Sequence, residues 1–321
     1  MHRLSTRFLS TVVLLAAAAG CGAAAHLVPT APSQAGPRPA VDLLPREAAA
    51  LQAAGIARAE LTCNSRQMWN GELRTEAKAS ATALLALVQG AGVTLTEPQA
   101  QALHKQMTDV VAWRMVLSSL VDGQMHNLGA VPLAGRTMPN GKPLVLFRSG
   151  FTASPDRPGS CVDSLVAQGG VRHVVNLYAG AMPTQELTAA ECKRVQAAGG
   201  TCWDARADGS DKANWREDLR EGEAASAKRE AMQAVARLIR EEILQPGGKP
   251  PQGNVLLHCG GGMHRTGMVV GVIERCLNNA PMAEIEAGYK NHVAWRSPAD
   301  PGGFEAENLH FIAEFDCSLL Q

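Results

Sequence analysis

Residues 254–273 read Asn254-Val255-Leu256-Leu257-His258-Cys259-Gly260-Gly261-Gly262-Met263-His264-Arg265-Thr266-Gly267-Met268-Val269-Val270-Gly271-Val272-Ile273. The opening run is short and nearly continuous in its apolar character, the pattern of a strand buried on both faces. Met268 to Ile273 is again apolar and reads as the start of a buried helix. The stretch therefore predicts strand, glycine-rich turn and helix in succession. At such a junction backbone N–H groups converge and the helix start adds positive potential, which makes a cradle for an anion, above all phosphate. Cys259 opens the loop and Arg265 closes it. A thiolate can then attack phosphorus while a guanidinium grips two phosphate oxygens. The same amides and helix start favour the thiolate form of Cys259.

Upstream, Met232, Val235, Ala236, Ile239 and Ile243 recur at spacings of three and four and predict a helix over about 224–244, ended by Pro246-Gly247-Gly248. Leu144-Val145-Leu146-Phe147 and Val171 to Leu177 are short β-type runs bounded by glycine, with amphipathic stretches between them. Strands alternating with helices give an α/β class. From Arg46 to about Asp122 the chain is rich in Ala, Leu, Gln and Glu, with helical spacing such as Ala83, Leu84, Leu87 and Val88, and it predicts three helices broken at Gly90 and Gly92.

The Cys-x5-Arg-[Ser/Thr]-Gly form of Cys259 to Gly267 resembles the cysteine-based protein tyrosine and dual-specificity phosphatases. With Leu146-Phe147-Arg148-Ser149-Gly150 and Val174-Val175-Asn176-Leu177, the likeness is greatest to their compact bacterial, fungal and plant-type dual-specificity branch, over about residues 140–300. The resemblance implies a central, mostly parallel sheet flanked by helices, here preceded by a helical N-terminal segment. It makes Cys259 the nucleophile that forms a cysteinyl-phosphate and Arg265 the phosphate clamp. Thr266 helps the thiolate leave in the second step. The amides of Gly260, Gly261, Gly262, Met263, His264 and Arg265 form the cradle. No cofactor is implied.

A general acid on a closing loop must protonate the leaving oxygen and then activate water. Thr201 to Asp211 lies about 50 residues before Cys259, in the family's chain order, and holds three candidates. Asp208 comes first because it follows the expected strand and precedes glycine; Asp211 is second and Asp204 third. The family's usual Trp-Pro-Asp is absent. His258 and His264 fit no common zinc spacing, so no metal is expected, and His258 is assigned to orienting the loop. Arg148 reads as a structural ion-pair partner rather than a substrate contact.

The expected activity is phosphomonoester hydrolysis. Phosphotyrosine or a small phosphoester is favoured over phytate, because Gly260 to His264 offers only His264 to compensate several adjacent phosphates. An inositol phosphate phosphatase of phytase type, or a catalytically silent phosphate-binding module, are the alternatives.

Lys and Arg total 30 against 30 Asp and Glu, a net charge of zero, so no nucleic-acid partner is expected and anion recognition must be local. Arg3 and Arg7 precede an apolar run from Phe8 to Ala19, which is shorter than the roughly 20 residues needed to span a bilayer. Ala18-Ala19-Gly20-Cys21 resembles a bacterial lipobox. This organises the chain as a signal peptide (1–20), a Pro- and Ala-rich tether (21–45), a helical segment (46–135) and a phosphatase domain (136–321). Cys21 would be acylated and hold the protein in the periplasm at the outer membrane, with plain secretion as the alternative. Of the eight cysteines, Cys21 and Cys259 then leave six free to pair, in an order the sequence does not choose.

Overall fold

The computed structural model of the chain describes residues 43–65, 71–121, 126–153, 160–180, 184–218, 225–293 and 303–321. Five strands, β1 (Gly129–Thr137), β2 (Pro143–Ser149), β3 (Val171–Asn176), β4 (Thr201–Asp204) and β5 (Asn254–His258), build one sheet in the order β1-β2-β5-β3-β4. β1 runs antiparallel to β2, and β2, β5, β3 and β4 are mutually parallel. This is the expected α/β class with a mostly parallel sheet.

The helices are α1 (Pro45–Ala53), α2 (Gly71–Gly90), α3 (Glu97–Val121), α4 (Cys161–Ala167), α5 (Gln185–Ala197), α6 (Ala205–Asp208), α7 (Asp211–Asp218), α8 (Ala225–Leu238), α9 (His264–Cys276), α10 (Met282–Val293) and α11 (Gly303–Glu314). Alternation along the strands sends side chains to two cores. Leu144, Leu146, Val175, Val255 and Leu257 meet α8, α9 and α11 through Val235, Ile239, Val269, Ile273, Phe311 and Ile312. Val145, Phe147, Val174 and Leu256 face the other way, onto Leu51 of α1, Val162 and Leu165 of α4, and Val195 of α5. Apolar residues on both faces explain why the strand runs read as continuous rather than alternating. Full burial of side chains such as Phe147 and Leu165 stabilises by roughly 2–3 kcal/mol each.

The helix expected over 224–244 forms as α8 and continues as a π-helical turn over Ile239–Leu244, still burying Ile239 and Ile243. β1 was not expected. Gly129, Pro132 and Gly135 interrupt its apolar pattern, and its pairing with β2 across the Asn140-Gly141 turn supplies what local propensity lacks.

The chain divides into two compact units. The larger comprises Pro39–Trp69 with Ser119–Gln321; the described part of the smaller is residues 71–118. α1 therefore belongs with the sheet, where Leu51 is 1% exposed. In the smaller unit the spacing of Leu84, Leu87 and Val88 does mark a helix, but not a buried face, since Leu87 is 53% exposed.

Three disulfides join Cys63 to Cys161, Cys192 to Cys202 and Cys276 to Cys317, and Cys259 is a free thiol. The signal peptide over 1–20, Cys21 and the tether as far as residue 42 lie outside the described residues, and the last residue assigned to the tether, Pro45, already begins α1.

Candidate active site

The parallel strands end in register. Ser149 of β2 stands opposite His258 of β5, His258 opposite Asn176 of β3, and Asn176 opposite Asp204 of β4. One row of four residues thus marks the carboxyl edge of the sheet, where ligands of open α/β sheets bind. Cys259 follows the central strand of that row. The loops after β2, β3 and β4 leave from the same edge, so Asp204, the last residue of β4, stands at the edge that Cys259 follows, and Asp208 and Asp211 come after it in the chain.

From Cys259 the chain turns through Gly260 to Met263 and starts α9 at His264, so Arg265 and Thr266 lie in the first turn of a 13-residue helix. Cys259 is buried; Met263, His264 and Arg265 form the half-exposed rim of the loop. Gly262 has φ +66°, and a Cβ on it would come within 2.4 Å of the Ser149 carbonyl carbon. Glycine is required there by conformation and by space alike.

Two side chains hold the outward carbonyls of the loop. Arg148 Nη2 donates to the Gly262 carbonyl at 2.6 Å, and Asn127 Nδ2 donates to the Gly261 carbonyl at 2.9 Å. With their carbonyls held outside, the peptide units are fixed and their N–H groups have a set direction. Arg148, read from the sequence as a structural ion-pair partner, is 2% exposed, and its contact here is with a backbone carbonyl. Asn127 was not foreseen. It lies before β1 with φ +52° and carries no motif that would single it out.

Burial alone would raise the Cys259 thiol. The Thr266 hydroxyl and N–H, the Arg265 guanidinium and the Gly261 N–H outweigh it, and the thiol lies below its usual range. The Thr266 hydroxyl has no other hydrogen-bond partner and faces the sulfur. Behind the nucleophile, His258 Nε2 sits 2.7 Å from a Glu191 carboxylate oxygen, and Nδ1 lies 3.3 Å from the Cys259 carbonyl. Burial pulls His258 down, but the Glu191 carboxylate more than offsets this and the histidine lies above its ordinary value. Thr152 donates to the other Glu191 oxygen, and Phe151 packs edge-on against the imidazole at 5.1 Å. Glu191, on α5, also escaped the sequence reading, since it sits among exposed-type residues and only the fold buries it.

The three acids differ in setting. Asp204 caps α6, accepting the Arg206 N–H and the Asn176 amide. Asp208 is exposed and accepts the Ser210 hydroxyl; Asp211 pairs with Arg237. Among the described residues no group of three or more His, Cys, Asp or Glu could hold a metal ion.

No protein-family model matches the chain, and no curated protein matches it. Among solved structures, the core catalytic domain of the PP-IP phosphatase SIW14 from S. cerevisiae, in complex with citrate, is similar at 18% identity, covering 53% of this chain and 80% of that one with a TM-score of 0.34.

Proposed function

We propose that this protein is a cysteine-based phosphomonoester hydrolase of the tyrosine and dual-specificity phosphatase type. The observation that carries the reading is Cys259 itself, a free thiol held below its usual pKa despite burial, at a glycine loop that opens a helix. In the first step the Cys259 thiolate attacks phosphorus and the P–O bond to the leaving group breaks. Arg265 and the loop amides take the charge of the three equatorial oxygens. Asp208 gives its proton to the leaving oxygen. In the second step Asp208 takes a proton from water, the new hydroxide displaces sulfur, and Thr266 donates to the departing thiolate. Phosphotyrosine or a small phosphoester is the favoured substrate, because the rim of the loop carries Met263 and His264 rather than a set of lysines.

The proposal extends to location. Cys21 as an acylated anchor would place the enzyme outside the cytoplasm, a setting that suits the three disulfides. Fatty-acid labelling of wild type and Cys21→Ala tests this; equal labelling would sink it.

The activity is tested by vanadate-sensitive hydrolysis of para-nitrophenyl phosphate, expected in wild type and lost in Cys259→Ser. Absence of hydrolysis by wild type would favour a phosphate-binding module. A panel of phosphopeptides, nucleotides and inositol phosphates then separates phosphotyrosine from phytate-type substrates.

A further inference from the structure

Three buried side chains from distant parts of the sequence meet behind the phosphate loop. Glu47 is 2% exposed, Asn127 1% and His292 3%. Glu47 is on α1, Asn127 precedes β1, and His292 is near the end of α10. Asn127 Nδ2 donates to two carbonyls, those of Gly261 and His292, each at 2.9 Å. Two carbonyl acceptors fix which way the amide points, so its oxygen faces His292 Nδ1 at 2.9 Å and that nitrogen carries a proton. His292 Nε2 lies 2.7 Å from Glu47 Oε1, while Glu47 Oε2 accepts the Leu44 N–H at 2.9 Å. Every polar atom in this chain of bonds has a partner.

The fold makes room for this contact. A Cβ on Gly129 would fall 2.3 Å from Glu47 Oε1 and 2.8 Å from His292 Nε2. Any other residue at that point of β1 would separate the two.

We propose that Glu47, His292 and Asn127 form a positioning relay that fixes the Gly261 carbonyl and thereby aims the loop amides at the phosphate. Resting on the phosphatase reading for its use, it gives α1 a part in the active site. The relay reaches through hydrogen bonds only, and all three residues are buried.

Glutamine is the discriminating replacement for Glu47. Its amide N–H donates to Nε2 of a neutral ring, its oxygen takes the Leu44 N–H, and Nδ1–H still reaches Asn127. Alanine leaves Nε2 without its partner. Hydrogen exchange of the amides in 260–263, followed in the full oxidised chain, reads the relay independently of activity. Glu47→Ala and Asn127→Ala are expected to speed that exchange roughly tenfold, with Glu47→Gln within about twofold of wild type. Unchanged loop exchange in both alanine variants, or Glu47→Gln as fast as Glu47→Ala, would overturn the proposal. If Asn127→Ala does not fold, the two Glu47 variants decide it. Para-nitrophenyl phosphate hydrolysis is measured in parallel, where the alanine variants should lose roughly 10- to 100-fold in kcat/KM. A wild type without hydrolysis would refute the phosphatase reading and leave the exchange result standing.

Discussion

His258 and Glu191 face each other across 2.7 Å with neither side chain exposed, immediately behind the thiol of Cys259. The buried carboxylate raises the imidazole above its ordinary value and so favours the charged ring beside Cys259, whose carbonyl lies 3.3 Å from Nδ1. Removing one partner of such a pair leaves the other charge uncompensated. Glu191→Gln is therefore expected to leave His258 neutral and to move the pH dependence of Cys259 alkylation by iodoacetamide to higher pH. Alkylation at pH 6 should slow, while the rate at pH 9 stays near wild type. An unchanged profile would show that the pair only fills the core.

Asp208 is the acid expected to work on the leaving group. Asp211 is engaged by Arg237, and Asp204 by the cap of α6 and by Asn176, whereas Asp208 stands exposed on the short helix between them. Asp208→Ala should lower kcat roughly 10²- to 10⁴-fold on phosphotyrosine, whose leaving group needs the proton. An unchanged rate would move the role to Asp211 or Asp204.

Acid should weaken the fold partly through His126. Burial pushes it down to about 4, and its Nδ1 accepts the Asn64 N–H at 3.2 Å, which requires an unprotonated nitrogen. The folded value lies below the unfolded one near 6.5, so the unfolded chain binds more protons between the two. The stabilisation is full above pH 6.5 and is lost as pH falls toward 4. Glu274, pushed up to about 7 by burial, acts in the opposite sense over the same range. The difference between His126→Gln and wild type isolates the histidine. Its urea-unfolding ΔΔG should shrink by about 2 kcal/mol between pH 7.5 and pH 5. A pH-independent difference would refute the assignment.

The Cys63–Cys161 bridge closes a loop with a sequence separation of 98. On the chain-entropy account a loop of about 100 residues contributes roughly 4–5 kcal/mol. The Cys63→Ala, Cys161→Ala double variant should unfold at correspondingly lower urea. A loss under about 1 kcal/mol would mean that packing of Leu51 and Leu61 already fixes the N-terminal segment.

Legibility in the sequence followed how local the cause was. β5, the glycine loop and the start of α9 are specified by adjacent residues, as is the face of α8 and its π-helical continuation that buries Val235 and Ile239. β1 was hidden because its strand character comes from pairing with β2 across a hairpin, not from its own residues. Within the site, Cys259, Arg265 and Thr266 share one loop and announce themselves by spacing. Glu191, Asn127, His292 and Glu47 are tied to the site by contacts between residues 67 to 245 positions apart, such as Glu191 with His258 and Glu47 with His292, and no single-sequence pattern encodes such contacts. Of the three acids, Asp204 ends β4 at the carboxyl edge while Asp208 and Asp211 follow on short helices, and their separate partners depend on side chains the sequence does not bring together.

The order of the disulfides bears on biosynthesis. After Cys21 the cysteines follow one another as 63, 161, 192, 202, 259, 276 and 317, and each bridge joins a cysteine to its next neighbour still unpaired. On the proposal that the chain is exported N-terminus first into an oxidising compartment, the first four would present themselves as two native couples before the nucleophile emerges. Only Cys276, arriving next, offers it a wrong partner before Cys317 follows, and the burial of Cys259 behind its own loop ends that brief window of thiol exchange.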